Sequence, residues 1–181
     1  MWTVVTVSEL GSVTKLLDKQ AIYEVVLRYC RGVDRLDIEL VRSAYHPGAV
    51  DHHVGFEGNI DEYAAWLERV LAKLDGTMHL VGNHYVEFVD DDRAISETYV
   101  IATHWGTPSD DGLINFTGGG RYVDVMERRN GVWAIAERWA VQEWSRSDAG
   151  TVTMPRVPGA RGSRDNTDPL HQVLARARRT K

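Results

Sequence analysis

A chain of 181 residues is long enough for one domain with a sizeable core and cramped for two. Its 43% hydrophobic and 26% charged residues match a soluble globular protein, and no apolar run approaches the roughly 20 residues of a membrane span. A single cysteine excludes an internal disulfide, and the formal net charge of -5 gives no general attraction for nucleic acid.

The opening Met-Trp-Thr-Val-Val-Thr-Val segment is apolar but has no basic region before it and meets Glu9 soon after, so it reads as an extended arm over residues 1–12 rather than a signal peptide, and a cytoplasmic setting is expected. A first helix is predicted from about Val13 to Val33, stopping near Gly32, where helix propensity fails. In it Ile22, Val26, Cys30 and Asp34 recur every fourth residue and form one ridge, with Tyr29 and Val33 beside it. An apolar ridge ending in a carboxylate needs a partner for that charge, because an unpartnered carboxylate loses several kcal/mol of hydration in an apolar setting. Asp37 reads as the N-cap of a short helix, Ile38 to Ala44, which His46-Pro47-Gly48 ends. An extended segment from Ala49 to Val54 leads to a third helix, Ile60 to Leu74, whose apolar face is Tyr63, Trp66, Leu67, Val70, Leu71 and Leu74.

After Asp75-Gly76 the pattern changes to four strands, at residues 78–90, 94–105, 114–128 and 132–145. Turns fall at Asp90-Asp91-Asp92, at Pro108 to Gly112 and at Asn130-Gly131, the preferred pair for a two-residue hairpin. Gly118-Gly119-Gly120 lies inside a strand pattern and is expected to allow a sharp sheet bend. Three helices followed by a long meander predict an α+β domain over residues 1–145, a curved sheet wrapping a helix. Residues 146–181 form a basic extension: eight Lys or Arg stand against Asp148, Asp165 and Asp168, a net +5 that leaves -10 on the body. The extension lacks aromatics to stack on bases, so it is expected to dock on the body or on a sister subunit, ending in a helix from Pro169 to Arg179 with Asp168 as N-cap.

His79, His84 and His104, on the first two of those strands, are the candidate partners of Asp34. By two-residue alternation His104 shares a face with Ser96, Thr98, Val100 and Ala102, small residues that leave room for a cavity. Arg138 alternates with Ala134, Ala136 and Ala140 while Trp133, Ile135, Trp139 and Val141 point the other way, so it either salt-bridges a neighbour or serves a pocket. His46, Asp51, His52 and His53 are ligand types within eight positions, but they match no helical His-x-x-x-His pair, and neighbours on a strand point to opposite faces, so no metal site is expected. No phosphate loop, dinucleotide fingerprint or Gly-x-Ser-x-Gly is present.

Taken together, Tyr29…Gly32-Val33-Asp34, His79-Leu80-Val81-Gly82-Asn83, His104, Gly120-Arg121-Tyr122-Val123-Asp124, Glu127 to Trp133 and Arg138 resemble the SnoaL-like branch of the nuclear transport factor two-like superfamily over about residues 13–142. The pattern is similar to scytalone dehydratase, bile-acid 7α-dehydratase and lindane dehydrochlorinase. The resemblance implies a cystatin-like fold, a cone-shaped barrel of mainly antiparallel sheet around a long N-terminal helix. It also implies a cofactor-free lyase with an Asp34–His79 dyad, assisted by Tyr29, His104 and Arg138. A small hydrophobic cyclic or aromatic substrate and a homodimer or higher oligomer go with it. The same fold hosts isomerases, polyketide cyclases and non-catalytic subunits, which remain alternatives.

Overall fold

The computed structural model describes residues 13–106, 115–147 and 162–179; the expected N-terminal arm, the Pro108 to Gly112 turn and residues 148–161 of the extension lie outside them. In chain order the elements are α1 (Val13–Arg35), α2 (Ile38–Arg42), β1 (Tyr45–His53), β2 (Phe56–Asn59), α3 (Ile60–Leu71), β3 (Gly76–Phe88), β4 (Arg93–Trp105), β5 (Phe116–Arg129), β6 (Val132–Ser147) and α4 (Pro169–Arg179).

The ridge expected on α1 is the one that is buried. Ile22, Val25, Val26, Tyr29, Cys30 and Val33 pack against Tyr45, Val86, Tyr122, Met126 and Ile135 of the sheet. Each fully buried side chain of this size contributes about 1.5–3 kcal/mol relative to exposure. Gly32 does not end α1, which continues to Arg35 and stops where Leu36 turns left-handed at φ 54°. The glycine instead admits α2: a Cβ there would stand 2.8 Å from both the backbone nitrogen and Cγ2 of Val41. Asp37 caps α2 through Leu40 N at 2.9 Å, and Asn59 with Glu62 forms a reciprocal capping box on α3.

The six strands form one curved mixed sheet in the order β2-β1-β6-β5-β4-β3. Four of its pairs are antiparallel; β1 and β6 run parallel, so the first and last strands among the described residues meet inside the sheet. Two features depart from expectation. His46-Pro47-Gly48 lies inside β1, which starts at Tyr45, and β2 is a strand where only a connection was expected. In β6 a register shift pairs Val125 with Glu137 but Met126 with Ile135, leaving Ala136 as the extra residue of a bulge. A bulge reverses the alternation, so Trp133, Ile135 and Arg138 are all buried rather than facing opposite ways.

The described part of the extension returns to the body. Arg164 Nη1 donates to the carbonyls of Leu71 and Leu74, at 3.0 and 2.7 Å, capping the end of α3, and Asp168 meets Arg35 at 3.6 Å. Asp168 also accepts from Leu170 N at 3.0 Å, the expected cap of α4. No helix among the described residues is long and apolar enough to cross a membrane.

Candidate active site

Asp34 sits in the last turn of α1, where the helix dipole disfavours a negative charge. Three donors offset that cost. Oδ1 accepts from His79 Nδ1 at 2.6 Å and from Thr77 Oγ1 at 3.1 Å, and Oδ2 accepts from the backbone N of His79 at 3.0 Å. A carboxylate has no proton to give, so Nδ1 carries the hydrogen and Nε2 is left as the basic nitrogen. Of the three candidate histidines, then, His79 meets Asp34. His84 instead contacts Thr98 Oγ1 at 2.8 Å and lies beside the ring of Tyr23.

His79 lines a cavity of about 920 Å³ that lies between α1, α3 and the inner face of the sheet. This volume suits a small organic ligand. Its wall is mostly apolar, with Val33, Trp66, Leu71, Leu74, Val100 and Phe116 among the lining side chains. Gly118, Gly119 and Gly120 line it as well, at a second bulge, where a Cβ on Gly120 would stand 2.2 Å from the carbonyl oxygen of Val141.

His104 also lines the cavity, its ring 5.9 Å from that of His79 and stacked on Phe116 at 4.2 Å. Burial, and then the neighbouring His79, push its pKa down to about 4, with Arg164 and His53 adding to the effect and Asp34 opposing it. At neutral pH it is therefore an uncharged imidazole, and its Nδ1 is buried without a hydrogen-bond partner among the described residues.

Tyr29 faces the cavity with its hydroxyl 2.6 Å from that of Tyr63. Burial raises its pKa well above the ordinary range, so it remains a protonated donor. Arg138 lies one layer behind. It is fully buried, makes a two-point fork with Asp124 at 2.7 Å on each side, and lies over the rings of Tyr29 and Tyr122, 4.2 and 4.1 Å from their centres, the two rings standing nearly perpendicular to each other. Of the two roles left open for it, the salt bridge is the one observed.

Sequence reasoning missed Asp51 and His53 as a pair. Asp51 is wholly buried on β1, its Oδ2 accepting from Tyr45 Oη at 2.5 Å and its Oδ1 lying 2.7 Å from His53 Nδ1. His53 lines the cavity and stacks on Tyr63 at 5.1 Å. The four ligand types of this segment diverge: His46 contacts the Glu127 carbonyl, and His52 stacks on the exposed Trp139 at 3.7 Å. The signal available was the two-residue spacing of Asp51 and His53, which places both on one face of a strand.

A long N-terminal helix across a curved, six-stranded mixed sheet is an α+β domain of the cystatin-like kind. Residues 14–139 match the family model described as a SnoaL-like domain, and the chain belongs to that family. No curated protein matches the sequence. Among solved structures it is similar to the hexachlorocyclohexane dehydrochlorinase LinA-type3 from Novosphingobium barchaimii, with 21% identity, a TM-score of 0.70, and coverage of 80% of this chain and 99% of that one. A scytalone dehydratase-like protein from Novosphingobium aromaticivorans matches with 20% identity and a TM-score of 0.68, over 81% of this chain and 97% of that one. A protein of unknown function with a cystatin-like fold from Nostoc punctiforme matches with 19% identity and a TM-score of 0.59, over 70% and 92%.

Proposed function

We propose that this protein is a cofactor-independent lyase that eliminates water, or a comparable leaving group, from a small hydrophobic cyclic substrate. The observation that carries the reading is the 2.6 Å contact between Asp34 and His79 Nδ1 at the wall of an apolar cavity. With Nδ1 held, Nε2 can take a proton from the carbon next to a carbonyl, and Asp34 stabilises the imidazolium that forms. Tyr29, a protonated phenol, and His104, an uncharged imidazole, line the same cavity and would stabilise the enolate oxygen; one such donor is typically worth about 3 kcal/mol in the transition state. Arg138 acts from behind the tyrosines, holding Tyr29 and Tyr122 in place. The elimination chemistry named for the LinA-type3 and scytalone dehydratase-like structures points the same way.

The test is turnover in D2O of a panel of cyclic β-hydroxy ketones, from 3-hydroxycyclohexanone to hydroxytetralones, following enone absorbance and loss of the α-proton NMR signal. Enone formation above buffer supports a lyase. Deuterium incorporation without enone supports an isomerase or cyclase, and binding with neither supports a non-catalytic binder.

A homodimer is proposed on the same footing. Leu80 pairs with Ile101, and Ile101, Tyr99 and Trp144 extend an exposed apolar row across the outer face of the sheet. Sedimentation equilibrium at micromolar concentration should give twice the monomer mass, and a monomer there excludes it.

A further inference from the structure

We infer that Asp51 and His53 form a second substrate-facing pair, which protonates the leaving group from the wall opposite His79. This rests on the lyase reading. His79 stands on β3 and His53 ends β1, and β6, β5 and β4 lie between those strands in the sheet. The curvature of the sheet brings both imidazoles to one cavity.

The two pairs are built alike. In each, a carboxylate takes the Nδ1 side of the ring, at 2.6 Å for Asp34–His79 and 2.7 Å for Asp51–His53, and a hydroxyl contacts the same carboxylate, from Thr77 in one and Tyr45 in the other. Asp51 has no exposed surface, and among the described residues its side chain meets these two partners by hydrogen bond. A purely structural partner for Asp51 would have no reason to reach the cavity, yet His53 lines it, its ring fixed by stacking on Tyr63.

Two separately held imidazoles divide the work that one would otherwise do twice. His79 Nε2 removes the α-proton, and the C–H pair becomes the new C=C bond through the enolate. As the Cβ–O bond breaks, the leaving oxygen takes the Nε2 proton of His53 imidazolium, whose charge Asp51 has balanced, and departs as water. His79 ends protonated and His53 neutral, and proton exchange with water restores both. The substrate implied is a cyclic β-hydroxy carbonyl compound whose carbonyl side lies toward β3 and β4 and whose hydroxyl points to β1.

The experiment compares full-length protein with His53→Gln and His79→Gln on 3-hydroxycyclohexanone in D2O, after circular dichroism shows that each variant is folded. His53→Gln should lower enone release about 100-fold while α-deuterium exchange continues, the size expected for loss of a general acid; His79→Gln should lose exchange and release together. Equal enone release by His53→Gln and the parent overturns the inference. If the parent neither exchanges nor eliminates, the lyase reading fails by itself, and titration with 1-tetralone decides the pair: imidazole 15N shifts at both His53 and His79 support a shared ligand face, and a shift at His79 alone overturns it.

Discussion

Arg138 and Asp124 close a fully buried two-point ion pair, Nε to Oδ1 and Nη2 to Oδ2, each 2.7 Å, beneath the tyrosines that floor the cavity. Cation–π contact with the nearly perpendicular rings of Tyr29 and Tyr122 fixes the guanidinium further, and the two-point fork is a geometry a lysine cannot reproduce.

Breaking that pair from one side leaves a buried charge without its partner, which costs about 3–5 kcal/mol. Arg138→Met should therefore lower the unfolding free energy by that amount in urea titrations, and Arg138→Lys should recover only part of it. The double variant Arg138→Met with Asp124→Leu should be much closer to the parent than either single change.

Gly32 gives a prediction opposite in sign to the helix-propensity rule. Inside an ordinary exposed helix Gly→Ala stabilises by about 1 kcal/mol. Here the added methyl would press on Val41 at 2.8 Å, and overpacking of this kind costs about 1–3 kcal/mol. Gly32→Ala should shift the denaturation midpoint down; an upward shift would mean that α2 does not sit so close.

His104 sets a pH dependence. Its folded pKa, about 4, lies below the ordinary histidine value, so between about pH 6.5 and 4 the unfolded chain binds more protons than the folded one. Stability is therefore lost as pH falls through that window and is unaffected by this group above it. The loss attributable to His104 reaches at most about 3 kcal/mol. The difference in unfolding free energy between the parent and His104→Gln should change across pH 6.5 to 4 and stay constant from pH 7 to 8. A constant difference throughout would place His104 in solvent.

Much of this was legible in the sequence because it is local. The fourfold spacing of Ile22, Val26, Cys30 and Asp34, the Asp37 and Asn130-Gly131 signals and the alternation of Ser96 to His104 each depend on residues close along the chain. What was not legible depends on distant pairing. The parallel β1–β6 contact joins the two ends of the domain, the bulge at Ala136 reverses a face that simple alternation assigned otherwise, and the Gly32–Val41 approach is decided by packing rather than propensity. Asp51 and His53 were weighed only as metal ligands, against helical spacings and against adjacent strand neighbours that point to opposite faces, whereas a strand puts i and i+2 on one face.

The Asp34–His79 contact is the point on which the function turns, and Asp34→Asn tests it most directly. Asparagine keeps the size of the side chain, and its one oxygen can still accept from the His79 backbone N while its NH2 donates to Thr77 Oγ1, so the thermal midpoint should move little, while Nδ1 loses its carboxylate. With 3-hydroxycyclohexanone in D2O, the α-proton exchange rate should fall about 10²–10⁴-fold relative to the parent protein. An exchange rate equal to that of the parent, in a variant shown to be folded, would contradict the assignment of this pair as the catalytic base.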